Sequence, residues 1–174
     1  LGPINSWTHC DELVLGGRLV GVLGNIRMAC AMHWQASRRY GDDPEAFYFG
    51  AYAFLRRCGP ARTWLKYRHV EQPLTATILQ RAEWTAFLAM LLAYLRDFSR
   101  AHELLKEAIQ TAPESAWVAT EEASVLMRQD RMEEALAVSE RALKLRPWYR
   151  PAVQCKSYLL VQLNRDDEAM ELLK

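Results

Sequence analysis

From residue 82 onward, small and large apolar positions recur along the chain at one fixed step. Ala89, Ala123 and Ser157 are 34 residues apart, and so are Ala101, Ala135 and Ala169. Ala108 and Ala142 keep the same step, as do Pro113 and Pro147. The large apolar residues agree: Leu92, Leu126 and Leu160, then Leu104, Val138 and Leu172. A fixed period of this length predicts stacked helical hairpins, in which each unit buries its apolar face only against its neighbours.

The residue types fit that geometry. Two helices pack closely only where small side chains let their backbones approach, a role for Ala89 with Ala101 and for Ala123 with Ala135. A proline after the second helix stops it, because proline has no N–H to continue the ladder. Arg96 and Asp97, then Gln129 to Arg131, then Asn164 to Asp166 make short polar turns, which force antiparallel neighbours.

Upstream, the pattern is helical but not periodic at 34. Leu13, Leu15, Leu19, Val20, Val22, Leu23, Ile26 and Met28 put apolar mass on more than one side of a helix running from about Asp11 to about Arg39. It is continuous or broken near residues 24–25. Gly17, Gly21 and Gly24 share one face, and each costs about 1 kcal/mol against Ala in a helix. That cost is explained if a second helix approaches there. Pro44, with Asp43 as cap, opens a helix ending at Cys58 and Gly59. Pro60 opens another that stops before Pro73. This pair stands 40 residues before its counterpart, and the six extra residues, 75–80, predict an over-long helix from about Thr75 to about Leu95.

The spacing and residues from 81 to 174 resemble the tetratricopeptide repeat family. The resemblance rests on Ala89, Phe98, Ala101, Ala108 and Pro113, on Ala123, Ala135, Ala142 and Pro147, and on Ser157 and Ala169. It implies an all-α fold of antiparallel helical hairpins stacked as a right-handed solenoid. Residues 1–43 then form an N-terminal helical cap with an expression-tag remnant at its start, 44–80 a degenerate repeat-like pair, and 81–174 the repeats, the last incomplete. There are departures. Leu88 is apolar as the family requires before the small residue of the first helix, but Glu122 and Lys156 are not. Those two are expected either to pair with each other or reach a groove, or else to be solvated.

The resemblance also implies a concave groove lined by first helices, which holds an extended peptide or a partner helix. By position it presents Glu83, Phe87, Met90 and Tyr94, then Trp117, Thr120, Glu121, Ser124, Met127 and Arg128, then Gln154, Cys155, Tyr158 and Gln162. Relatives that clamp carboxylate ends of chaperone tails need Lys, Asn and Arg where Ala86 and Met90 stand, so that specificity is rejected. Met, Tyr and Trp are apolar anchors, and Arg128 suits a carboxylate or a carbonyl.

Composition narrows the class. Half of the residues are hydrophobic, a quarter are charged and the net charge is +1, so no bulk field favours nucleic acid or membrane. Four cysteines, at 10, 30, 58 and 155, have no framework spacing and predict reduced thiols in a cytoplasmic protein. The stretch 13–36 is long enough to span a bilayer but holds Arg18, Asn25 and Arg27, which argues against it. The chain ends within a helix that an array would have to cover, so a longer protein is expected, with apolar surface open to self-association through that end.

Candidate chemistry is sparse. His9, Cys10, Cys30 and His33 match no metal-site spacing and are expected to be buried thiols and surface imidazoles, with no metal and no cofactor. No oxyanion loop supports a Cys/His nucleophile, so no catalytic residue is assigned. Arg56, Arg57, Arg62, Lys66, Arg68 and His69 form a basic patch beside Trp64 and Tyr67, with Arg62, Lys66 and His69 on one stripe. RNA binding there is the weaker alternative. The leading expectation is a non-catalytic scaffold gripping a peptide or partner domain. The alternative is an accessory segment of a larger enzyme.

Overall fold

The computed structural model describes residues 6–173. Among them there are ten helices and no strand. The chain divides into two compact units, with the division between Thr77 and Ile78. The expected tag remnant at Leu1, Gly2 and Pro3 lies outside the described residues.

The first unit holds α1 (Cys10–Val22), α2 (Ile26–Arg39), α3 (Pro44–Cys58) and α4 (Pro60–Tyr67). The break between α1 and α2 falls at Gly24, whose φ of +87° suits glycine alone, and Asn25 Oδ1 then accepts the Met28 N–H at 3.1 Å. Gly24 is therefore a turn residue and not part of a packing face. The close approach expected at Gly17 is present, and Gly16 shares it. A Cβ on Gly17 would stand 2.4 Å from the His33 ring. Asp43 Oδ1 caps α3 by accepting the Ala46 N–H at 2.8 Å, and Gly59, at φ +81°, separates α3 from α4. Leu13, Val14, Ala36 and Ala46 form a core here, flanked by Trp7, Cys10, Tyr40 and Phe49. His33 is buried, not on the surface, while Cys10, Cys30 and Cys58 are only half-buried.

The second unit holds α5 (Ile78–Tyr94), α6 (Phe98–Thr111), α7 (Ala116–Arg128), α8 (Met132–Leu145), α9 (Arg150–Gln162) and α10 (Asp166–Leu172). They form three antiparallel hairpins stacked in order as a right-handed solenoid. The small residues sit where the period requires: Ala89, Ala101, Ala123, Ala135, Ala108 and Ala142 are fully buried. The turn inside each hairpin is the same object made three times. Arg96, Asp130 and Asn164, spaced by 34, adopt φ of 65°, 61° and 58°. The N–H after each reaches back to close the first helix: Asp97 to Leu92 O at 3.0 Å, Arg131 to Leu126 O at 3.1 Å, Arg165 to Leu160 O at 2.8 Å. These six-to-one bonds satisfy carbonyls that the helix end leaves unpaired.

Two expectations change. α5 starts at Ile78 and not at Thr75, because the chain turns at Pro73, whose carbonyl accepts the Ala76 N–H at 2.9 Å. At 17 residues it is still longer than the 13-residue α7 and α9. Glu122 and Lys156 do not pair with each other. Each takes a partner on α8 instead: Glu122 bonds Arg141, and Lys156 Nζ lies 3.0 Å from Glu140 Oε1. The two adjacent α8 residues of opposite charge thus hold the flanking first helices. No described helix is long and apolar enough to cross a membrane.

Candidate binding surface of the repeats

The first helices α5, α7 and α9 place their residues in rows, one residue per repeat. Phe87, Glu121 and Cys155 make one row. Ala86, Thr120 and Gln154 make the next, then Met90, Ser124 and Tyr158, then Tyr94, Arg128 and Gln162. Burial varies steeply across them. Phe87, Met90 and Thr120 are closed off from solvent, which removes them from any surface a ligand could touch. The reason is local. α5 buries nearly every residue from Ala86 to Ala93, the Phe87 ring stacks on Trp84 with centroids 5.2 Å apart, and Thr120 Oγ1 donates to Ala116 O at 2.7 Å. Two further expected anchors are largely committed inward. Trp117 packs against Tyr149, and Met127 packs on the cluster of Leu126, Leu136 and Leu159.

What stays open is Tyr94, Arg128, Gln154, Tyr158 and Gln162, with Ser124 half-buried between them. Tyr158 is 54% exposed, a large value for an aromatic ring in a packed array. Arg128 is held in place by its counterpart one repeat earlier. Its Nη2 donates to Tyr94 Oη at 2.7 Å, and its Cζ lies 4.1 Å from the Tyr94 ring centroid. Its own carbonyl accepts Arg96 Nη1 at 2.9 Å. Among the described residues no carboxylate pairs with Arg128. The surface thus offers one oriented cation, two exposed aromatic rings, of which Tyr94 is engaged by that cation, and two amides.

Glu121 lies just beneath. It occupies the row of Phe87 and Cys155 and is buried. Burial pushes its carboxyl up to about 7, against the opposing pull of a hydrogen bond from the Trp117 indole. Cys155, buried first of all and next facing the Glu121 charge, has its thiol pushed up to about 12. Sequence reasoning places Glu121 in the groove. The signal against that is its spacing of 34 from Phe87 and Cys155, both apolar. Among the described residues no cluster of His, Cys, Asp or Glu is arranged to hold a metal. His33 Nε2 stands 3.3 Å from Val14 O, and desolvation lowers its pKa.

The family model for the tetratricopeptide repeat matches residues 92–147, a span running from the end of α5 to just beyond α8. Over that span, about a third of the chain, the sequence is similar to the tetratricopeptide repeat family. Among solved structures it is similar to TTC0263, a thermophilic tetratricopeptide repeat protein of Thermus thermophilus. That likeness has 17% identity and a TM-score of 0.61, over 94% of this chain and 88% of that one. It is also similar to MamA, residues 41 to the end, from Desulfovibrio magneticus RS-1, with 15% identity and a TM-score of 0.51 over 95% and 92% of the two chains. At these identities the likeness is one of fold. No curated protein sequence matches the chain. The tetratricopeptide repeat fold supports a protein-interaction scaffold as the general class of activity.

Proposed function

We propose that the repeats bind an extended peptide segment of a protein partner across the row of Tyr94, Arg128 and Gln162, with Tyr158 as the apolar anchor and no chemistry performed on the ligand. The observation that carries this reading is the Arg128 guanidinium, exposed, without a carboxylate partner among the described residues and fixed by Tyr94. A pre-oriented guanidinium loses little freedom when it meets a carboxylate or a backbone carbonyl. Tyr158 adds a rigid ring that desolvates on contact. Gln154 and Gln162 supply amide donors and acceptors for an extended backbone.

The test uses a displayed library of peptides of about 12 residues selected on the full chain. An enriched consensus is expected, with affinity falling roughly tenfold or more for Tyr158→Ala and for Arg128→Ala while the helical circular dichroism is unchanged. A single good hot-spot contact has that magnitude. No enriched sequence, or full affinity in both variants, removes this surface from consideration.

A further inference from the structure

A furrow of about 860 Å³ runs along the first unit between α2 and the C-terminal half of α3. Its rim is cationic. Arg27, Arg38 and Arg39 line it from α2, and Arg56 and Arg57 line it from α3, with no Asp or Glu among the described lining residues. No ion pair among the described residues engages any of the five. Arg39 is steadied by the Trp7 carbonyl at 2.8 Å, and Arg56 sits over the Tyr52 ring at 5.9 Å. Among the described residues Arg27, Arg38 and Arg57 have no such tether. Its apolar lining is Ile26, Cys30, Ala31, Trp34 and Ala53.

The charges are not spread evenly. α2 and α3 form an antiparallel pair, so Arg27 stands at the same end of the furrow as Arg56 and Arg57. Arg38 and Arg39 stand at the other. Arg27 and Arg38 are three helical turns apart, about 16 Å at 1.5 Å per residue. Uncompensated like charges at each end disfavour the free state and favour whatever brings carboxylates to both.

We propose that this furrow docks an acidic amphipathic helix from a protein partner. The partner's apolar stripe lies on Ile26 and Trp34, and its Asp or Glu residues, three turns apart, meet the two arginine groups. A channel between two antiparallel helices accepts a third helix by ridge-and-groove packing, and an apolar stripe read at i, i+3 and i+4 is the usual way such grooves select. The aromatic geometry argues against single-stranded nucleic acid. Base stacking needs a free ring face. Trp34 is already stacked on Phe54, with centroids 6.1 Å apart at 22°, and Lys66 Nζ lies 5.1 Å from its centroid. Tyr52 is likewise stacked on Tyr48 and covered by Arg56. The furrow shares no residue with the repeat row, so either reading can fail alone.

The test is fluorescence anisotropy on the full chain with a labelled synthetic 14-residue peptide. The peptide carries Leu along one helical face and Glu at both ends. A second peptide replaces each Glu by Gln. Saturable binding of the Glu peptide is expected, weakened by added salt and at least tenfold weaker for the Gln peptide. The double variant Arg27→Glu with Arg57→Glu should lose at least tenfold as well, and Arg128→Ala should lose nothing. If charge reversal disturbs the circular dichroism, Arg27→Gln with Arg57→Gln replaces it, with the same expectation. No binding, equal binding of the Gln peptide, or equal binding by the double variant overturns the proposal. Displacement of the Glu peptide by a lower concentration of a 14-nucleotide oligothymidine also overturns it, in favour of nucleic acid.

Discussion

Arg128 and Tyr94 hold the same place in successive repeats, and two contacts join them: a hydrogen bond of 2.7 Å to the phenol and a guanidinium 4.1 Å from the ring centroid. The contact crosses from α7 to α5 and lies at the surface. An exposed cation–π pair contributes about 0.5–1 kcal/mol. A double-mutant cycle with Tyr94→Ala and Arg128→Ala, read by urea unfolding, should therefore give a coupling of about that size. Zero coupling would mean that Arg128 is not pre-oriented.

Glu121 makes the stability of the second unit depend on pH. Its folded pKa is raised from 4.5 to about 7, so the fold holds a proton that the unfolded chain gives up first. Its contribution is therefore fully present below about 4.5 and is lost as pH rises through about 7. The loss between pH 5 and pH 8 is on the order of 2–3 kcal/mol. Urea midpoints at the two pH values should show that decline in the wild type and much less of it in Glu121→Gln. Parallel declines in both would show that the carboxylate is hydrated.

Gly50 admits Ser37 of the facing helix. A Cβ at residue 50 would stand 2.3 Å from Ser37 Cβ, an atom fixed to its own backbone. Gly50→Ala should destabilise by about 1–3 kcal/mol from overpacking, despite the roughly 1 kcal/mol that alanine brings to a helix interior. Ser37→Gly in the same chain should recover part of it. Thermal unfolding of the three variants measures both effects.

The hairpin turns hold non-glycine residues in the left-handed region. Asp130 sits at φ 61° and is exposed. Asp130→Gly should raise stability by about 0.5–1 kcal/mol, since glycine reaches the left-handed region without a Cβ penalty. Unfolding in urea checks it, and a loss of stability would show that the aspartate side chain is engaged.

The repeats were legible in the sequence because one physical demand is written three times. Close approach at Ala89, Ala123 and their partners, and helix closure at Arg96, Asp130 and Asn164, recur at a step that chance does not supply. The first unit was less legible. Nothing in the order of residues told that Gly50 faces Ser37, and a break near residues 24–25 was only one of two readings, the other placing Gly24 on a packing face. The binding surface was half legible. Residues 34 apart do share rows, but the depth of each row depends on what α5 packs against, and Phe87, Met90 and Thr120 went inward. The basic stripe of α4 dissolved for a different reason. That helix stops at Tyr67, so His69 lies beyond it, and Lys66 folds onto Trp34, Phe54 and Tyr67. The arginine furrow joins residues from two helices whose relative rotation the sequence does not state.

The central claim is that a peptide lies across the exposed rows of α5, α7 and α9. Titrating a library-selected peptide into the ¹⁵N-labelled chain and mapping the shifted amides tests it most directly. The largest shifts are expected at Tyr94, Arg128, Tyr158 and Gln162. Shifts confined to the second helices α6, α8 and α10 would contradict it.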